Sequence, residues 1–518
     1  MSVMAEAGRR GLAFVDRLFD ALTDPARRER TIAVALLGYV AVWTLYAVLA
    51  KGSQDIHVDL SEQWVLSREL AWAYPKHPPL AMWVVRAWFA VFPAGDWAFY
   101  LLAMVNAGVA LWIIWRLSAR FLDAEKRVVG LALLTLVPFF NFHALKFNVN
   151  TLLIPLWAAA TLWFLRSFET RRLIDAAFAG LFAALAMNTK YWSIFLLVGL
   201  GIAALADVRR AAYFRSGAPW VTIAVGAIVI APHAVALVTN DFAIISYAVA
   251  THGSSVMPTL RAALGYLGGS IAYVAPVLVI LALVARPSRV AVKDMAWPQV
   301  PERRLAAVAF WGGLLSPALI APAMGLQVGS VWSMSAFALL PVMLLSSPLV
   351  AISRRDALRV LALAVAFPLV MTAVAPAIAF ISHRAGPPPG TAHSSALVEP
   401  ILRLWRETTD RPLKVVAGYE EFTDGLSFYM RTHPFAAHLL ENNNLQMMDA
   451  RIERDGIVML CPERPRYLPG ATWCVKAATS IADRFPPGRR QEIEISRHFM
   501  GVEGKPARYL IITIPPRQ

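Results

Sequence analysis

Apolar residues in this chain come in long unbroken runs, not at the alternating or three-and-four spacing of half-buried elements. The runs cover 31–50, 78–93, 97–115, 128–146, 149–165, 173–189, 191–206, 218–239, 264–285, 305–325, 328–350 and 360–382. Many reach the ~20 residues a helix needs to cross ~30 Å of hydrocarbon. Lipid offers backbone polar groups no partner, so each crossing is expected to be an α-helix. Short basic segments at 116–127, 166–172, 209–215, 286–304 and 354–359 separate most of the runs in pairs. Lys and Arg are held on the cytoplasmic side of a membrane. Placing every basic segment there puts 146–150, 189–190, 240–261 and the chain after 382 on the other side. Parity is strained at one place, where 78–93 and 97–115 are both apolar. Either 78–93 dips in and returns, or a later run is a hairpin. The pattern predicts a mainly α, polytopic membrane protein of about 11–13 transmembrane helices, and no repeat at a period of ~20–50 residues is evident.

Composition agrees. Of 518 residues, 58% are hydrophobic and 16% charged, and the mean hydropathy is +0.54. A soluble domain averages about 45–50% apolar and about 25% charged. The net charge of +15 sits between the apolar runs, so it reads as topological bias and attraction to anionic headgroups, with no nucleic acid as partner. Residues 1–30 are basic (Arg9, Arg10, Arg27, Arg28, Arg30) and are expected in the cytoplasm. The run 31–50 has no clear small-residue cleavage site and reads as a retained first span.

Texture changes after 383–394, a Pro/Gly-dense linker. Beyond it, 413–417, 457–461 and 509–514 read as short strands and 395–407 as a helix. The expected organisation is a basic N-terminus (1–30), a transmembrane domain (31–382) whose first outer loop is 51–78, the linker, and a small α/β domain (395–518) on the outer side. Cys461 and Cys474 both lie in that domain. A disulfide is allowed there, though the sequence alone does not bring the two together.

Chemistry concentrates in 54–80, QDIHVDLSEQWVLSRELAWAYPKHPPL. Asp55, Asp59 and Glu62 fall close together, and on a helix Asp59 and Glu62 share a face at i,i+3. Arg68, Lys76 and His77 follow, and the two prolines stiffen the chain behind Lys76 and His77. Carboxylates and cations held together suit proton abstraction from a hydroxyl with stabilisation of an anionic leaving group. A solvated interfacial loop whose charges pair with one another fits the same composition. There is no CxxC, HExxH, P-loop or glycine-rich dinucleotide turn, and no cofactor is implied beyond room for a divalent metal near Asp59 and Glu62.

Asp59, Glu62, Trp64, Ser67, Trp72-Ala73-Tyr74 and Lys76-His77-Pro78-Pro79-Leu80 resemble the signature of membrane glycosyltransferases that use polyprenyl-phosphate sugars. That group, glycosyltransferase family 39, includes the protein O-mannosyltransferases and the lipid A aminoarabinose transferases. Leu60, Gln63 and Ala73 depart from the pattern, and Glu62 is read as replacing the acid missing at Leu60. The resemblance implies a GT-C fold, with the active site and the C-terminal domain on the periplasmic side of a bacterial inner membrane. It implies an inverting transfer from a polyprenyl-phosphate-linked sugar to a lipid, glycan or protein acceptor. Counting back from the prolines, it makes Asp59 the catalytic carboxylate and not Asp55, with Glu62 assisting. Lys76, His77 and Lys190 become donor-phosphate ligands, and Tyr74, Asn148, Asn150 and His252 substrate-binding residues. The residues alone leave other roles open: helix capping for Asn148 and Asn150, snorkelling for His143 and Lys146, interfacial anchoring for Lys190 and Tyr191. Pro232–His233, Asp241, Tyr247 and His252 are expected to mark an outer loop on the acceptor side. A transporter or flippase of lipid-linked sugars shares the spans and phosphate ligands, but should carry its ionisable residues mid-helix along a path. A non-catalytic assembly subunit of the same fold is the third alternative.

Overall fold

The computed structural model describes residues 3–386, 390–391, 393–438, 445–462, 471–486 and 488–517. Residues 387–389 and 392 of the expected linker lie outside these. Each apolar run contains helix. Among the described residues seven helices are long and apolar enough to cross a membrane: Arg28–Ala50, Asp96–Ser118, Val149–Thr170, Ala218–Thr239, Val256–Ala285, Pro301–Ala323 and Arg354–Ala385. The other runs form shorter pieces. The run 78–93 yields only Leu80–Phe89, ten residues. Such a helix rises ~15 Å, half the hydrocarbon thickness, which fits a segment that dips in and returns. The run 128–146 stops as a helix at Thr135, where Pro138 opens a 3₁₀ turn, Pro138–Phe140. The run 328–350 begins as the 3₁₀ helix Ser330–Leu339 and ends as Leu340–Leu345. Ten residues is long for that form, which is normally used in pieces of about 3–4.

The chain divides into two compact units. One comprises Met1–Thr44, Ala71–Ala81 and Leu101–Met371; the other Leu45–Leu70, Met82–Tyr100 and Thr372–Gln518. The first outer loop, expected at 51–78, is shared between them.

Inside the first unit, short helices pack on long ones through small residues, the usual route to close approach in lipid. Ile194–Ala206 crosses Pro301–Ala323 at Gly199, where an added Cβ would lie 2.5 Å from the backbone nitrogen of Gly313. Leu173–Met187 packs on both Val149–Thr170 and Ala218–Thr239, and Thr222 Oγ1 donates to the Ala176 carbonyl at 3.0 Å. Basic segments close on acids: Arg209 pairs with Asp207 at 2.9 Å and Glu302 at 2.6 Å, and Arg166 with Asp175 at 3.3 Å.

The second unit carries the α/β fold. Its strands are β1 (Val415–Gly418), β2 (Phe435–His438), β3 (Ile457–Pro462), β4 (Arg489–Ile495), β5 (His498–Phe499), β6 (Val502–Glu503) and β7 (Ala507–Ile514). Five form a sheet in the order β2-β1-β3-β7-β4, and β5-β6 is a separate pair. β1 pairs in parallel with β2 and β3, whereas β7 runs antiparallel to β3 and β4. Strands β1 and β3 are buried throughout, as parallel strands covered on both faces must be. Leu397, Ile401 and Trp405 of Ser394–Arg406 and Leu426 of Glu420–Tyr429 fill one face. Ile452, Ala478 and Ile481 fill the other, together with a Cys461–Cys474 disulfide.

Candidate functional site

Asp59 and Glu62 belong to the second unit. The helix Val58–Ser67 starts at His57, whose ring nitrogen Nδ1 accepts the Asp59 backbone N–H at 3.1 Å. Leu60, Ser61, Gln63, Trp64 and Ser67 form its buried side. Asp59 and Glu62, three residues apart, are only partly buried, so both carboxylates lie on the other side, as i,i+3 spacing dictates. Trp64 anchors the helix edge-on to Phe89 and Phe428, with ring centroids 4.9 and 5.5 Å away. The Asp59 carboxylate lies 3.3 Å from His57 Nδ1.

Asp55 does something different. It is 3% exposed and accepts the Ser395 N–H at 3.0 Å and the Ser395 hydroxyl at 2.6 Å, while Arg497 forms an ion pair with it. Tyr429 accepts the next backbone N–H, that of Ile56, through its hydroxyl at 2.9 Å. This carboxylate is engaged in seating the loop.

Gly390 makes a second seat. Its carbonyl accepts Val58 N–H at 2.7 Å, and its own N–H bonds the Glu421 carboxylate. At φ 78° it occupies the left-handed region, and an added Cβ would fall 2.4 Å from His57 Nε2; only glycine satisfies both demands. Burial pushes the Glu421 carboxyl above the ordinary glutamate range, against the opposing pull of nearby His57 and the Gly390 N–H. Glu421 also stands just beyond the carboxyl end of β1, the edge at which open α/β sheets receive ligands. Sequence reasoning missed Gly390, Ser395, Tyr429, Glu421 and Arg497, because nothing local links them to residues more than 300 positions upstream.

Lys76, His77, Tyr74, Lys190, Asn148, Asn150 and His252 all belong to the first unit. The segment around Lys76 is fixed along its length. Tyr74 N–H bonds the His77 carbonyl at 3.2 Å, and Leu80 N–H bonds the Asn188 carbonyl at 2.9 Å. Tyr74 is buried, its hydroxyl accepting Ala71 N–H at 3.3 Å. His233 Nδ1 meets the Trp72 carbonyl at 2.6 Å and its Nε2 meets the Tyr191 hydroxyl at 2.7 Å. A carbonyl can only accept, so Nδ1 carries the proton and Nε2 accepts from Tyr191. The expectation of Pro232–His233 as a loop is corrected: both residues lie inside Ala218–Thr239, and His233 is a buried strut. Asp241 and Tyr247 flank or lie on the short helix Ala243–His252, and Lys76 Nζ is 6.0 Å from the Tyr247 ring.

Lys190, Asn150 and His252 come together around one ring. Lys190 Nζ donates to Asn150 Oδ1 at 2.6 Å and lies 4.0 Å from the Trp332 centroid. His252 meets Trp332 edge-on at 5.1 Å. Burial, with Lys190 nearby, lowers the pKa of His252. Trp332, on the long 3₁₀ helix, carried no signal in the sequence. Asn148 caps Val149–Thr170, its Oδ1 accepting from Asn150 and Thr151 N–H in a capping box. Its carbonyl oxygen is therefore committed to the backbone.

Among the described residues no group of three or more His, Cys, Asp or Glu side chains is arranged to hold a metal ion.

The fold is that of the GT-C membrane glycosyltransferases, on a multi-pass membrane protein. Two solved structures of ArnT from Cupriavidus metallidurans carry this likeness, one bound to undecaprenyl phosphate and one in the apo state. Each aligns with a TM-score of 0.60 over 93% of this chain and 97% of ArnT, at 12% and 11% identity respectively. Residues 76–235 match the family model for dolichyl-phosphate-mannose-protein mannosyltransferase. The lipid A galacturonosyltransferase RgtD of Rhizobium johnstonii is 25% identical over 253 residues, 48% of this chain and 52% of its own. The chain thus spans about half the length of that curated relative. The resemblance read from 54–80 is borne out by these matches.

Proposed function

We propose that the protein is an inverting glycosyltransferase that moves a sugar from a polyprenyl-phosphate donor to an acceptor hydroxyl at the periplasmic face of a bacterial inner membrane. The carrying observation is Asp59: a carboxylate in the first turn of a helix just past the first span, on the less buried face with Glu62, while neighbouring Asp55 is taken up by Ser395 and Arg497. Asp59 takes the proton from the acceptor hydroxyl as its oxygen forms a bond to the anomeric carbon. The bond from that carbon to the phosphate oxygen breaks, and the phosphate keeps the electron pair. Lys76, His77 and Lys190 neutralise the departing polyprenyl phosphate, a contribution that is large where water is scarce. Glu62 orients the acceptor. Tyr74, Asn150 and His252 line the sugar, and Asn148 supports Asn150 through the cap. A lipid-linked donor needs no nucleotide site. ArnT captured with undecaprenyl phosphate favours such a donor, and RgtD, named for lipid A, favours a glycolipid acceptor over a protein.

The test is transfer by the purified full chain, with a labelled polyprenyl-phosphate sugar and a lipid A acceptor. Asp59→Asn should lose activity by about 10²–10⁴-fold, the usual weight of a general base, while binding donor as the wild type does. A wild type that binds donor and transfers nothing identifies a transporter or scaffold instead, and retained transfer in Asp59→Asn removes Asp59 as the base.

A further inference from the structure

Between the spans Val256–Ala285 and Pro301–Ala323 the chain makes one more short helix, Arg289–Ala296. It is firmly attached. Ser288 caps it, accepting Ala291 N–H at 3.2 Å. Arg303 pairs with the Asp294 carboxylate at 2.8 Å and donates to the Asp294 carbonyl at 3.1 Å. Trp311 Nε1 donates to the Ala296 carbonyl at 2.8 Å. Held in this way, the helix walls a cavity of about 260 Å³ whose lining carries no charged side chain. Val274 and Leu278 come from the preceding span, Val292 and Met295 from the short helix, Trp311 from the following span and Phe337 from the 3₁₀ helix.

The outer surface of the same short helix is cationic. Arg289 and Lys293 are exposed. Arg289 is three residues before Val292, so it lies on the stripe of helix surface that also lines the cavity. Arg286 and Arg304 add to the segment, and Trp297 is 51% exposed beside Arg304, 5.5 Å from its guanidinium. Aromatic and basic residues of this kind mark the level of lipid headgroups.

We infer that this cavity holds one acyl chain of an anionic phospholipid, whose phosphate is held by Arg289 and Lys293. An uncharged apolar slot takes a hydrocarbon chain of any lipid; the two cations are what select the headgroup. Basic pockets between membrane helices on the cytoplasmic side meet a leaflet rich in anionic lipid, and 286–304 is one of the basic segments that the positive-inside bias puts there. The site is independent of the proposed transfer reaction, whose donor headgroup is expected at the opposite face.

Native mass spectrometry of the full chain, released from detergent and titrated with phosphatidylglycerol or phosphatidylcholine of identical acyl chains, tests this. Phosphatidylglycerol should bind about tenfold more tightly than phosphatidylcholine. Arg289→Gln with Lys293→Gln should reduce that ratio to nearly one without abolishing binding. Val292→Trp, filling the slot at a position 48% exposed, should remove the bound lipid in both cases. Ile271→Trp, at a lining position 62% exposed, fills it from another wall should the first variant fail to fold. Equal affinity for the two lipids in the wild type, or a preference that survives the double substitution, overturns the inference. So does one-for-one displacement of phosphatidylglycerol by undecaprenyl phosphate, which would make the slot a seat for the polyprenyl tail.

Discussion

Glu421 shows how a carboxylate three hundred residues away comes to bear on Asp59. It bonds Gly390, and Gly390 backs onto the His57 ring. Its raised pKa means that the folded protein binds its proton more tightly than the unfolded chain does. That contribution to stability is complete below the ordinary glutamate pKa and is lost as pH rises through the higher folded value. Glu421→Gln keeps an oxygen for the Gly390 N–H and removes the charge. It should therefore raise the melting temperature at pH 7, by about 2 °C, with the difference disappearing near pH 4. A lower melting temperature at pH 7 would show that the charge itself is needed. At this scale the sequence was half legible. The shared face of Asp59 and Glu62 follows from a spacing of three, and the commitment of Asn148 to a cap from asparagine preceding an apolar run. The neighbours of Asp55 and His57 could not be read, because contact between 55 and 497, or 57 and 390, leaves no local pattern.

Elements were legible where every side of a run must be apolar, against lipid or neighbouring helices in the long spans and by burial on both faces in β1 and β3. They were not where a run hides a break, as at Pro138, or where a strand is polar. Among the described residues β4, Arg489–Ile495, pairs only with β7 and is mostly exposed, and edge strands are commonly charged to discourage further pairing. Its residues RRQEIEI therefore gave no apolar signal. The crossing of Ile194–Ala206 with Pro301–Ala323 offers a test of packing. Gly199→Val puts a side chain where backbone already lies and should destabilise the protein by about 1–3 kcal/mol, seen as a lower melting temperature in detergent. Gly201, on the same helix, has nothing within 4 Å of a built Cβ, so Gly201→Val should be nearly silent. Equal effects at both positions would count against a close crossing.

For the molecule as a whole, the disulfide bears on compartment. Cys461 and Cys474 are buried and bonded, a state that persists in oxidising surroundings. Replacing both by serine should cost about 3 kcal/mol, the loop-closure term for a short loop, and should be read as earlier unfolding in denaturant. Unchanged stability would imply that the bond does not form in the mature protein.

The clamp on Asp55 has a practical corollary. Its carboxylate is neutralised by Arg497 and hydrogen-bonded by Ser395, and leaving such a charge buried alone costs about 3–5 kcal/mol. A chain shortened before Ser395 therefore loses more than an appendage: it unseats the loop that carries Asp59. Chimaeras that exchange tails between relatives will have to move Asp55, Ser395 and Arg497 as one matched set.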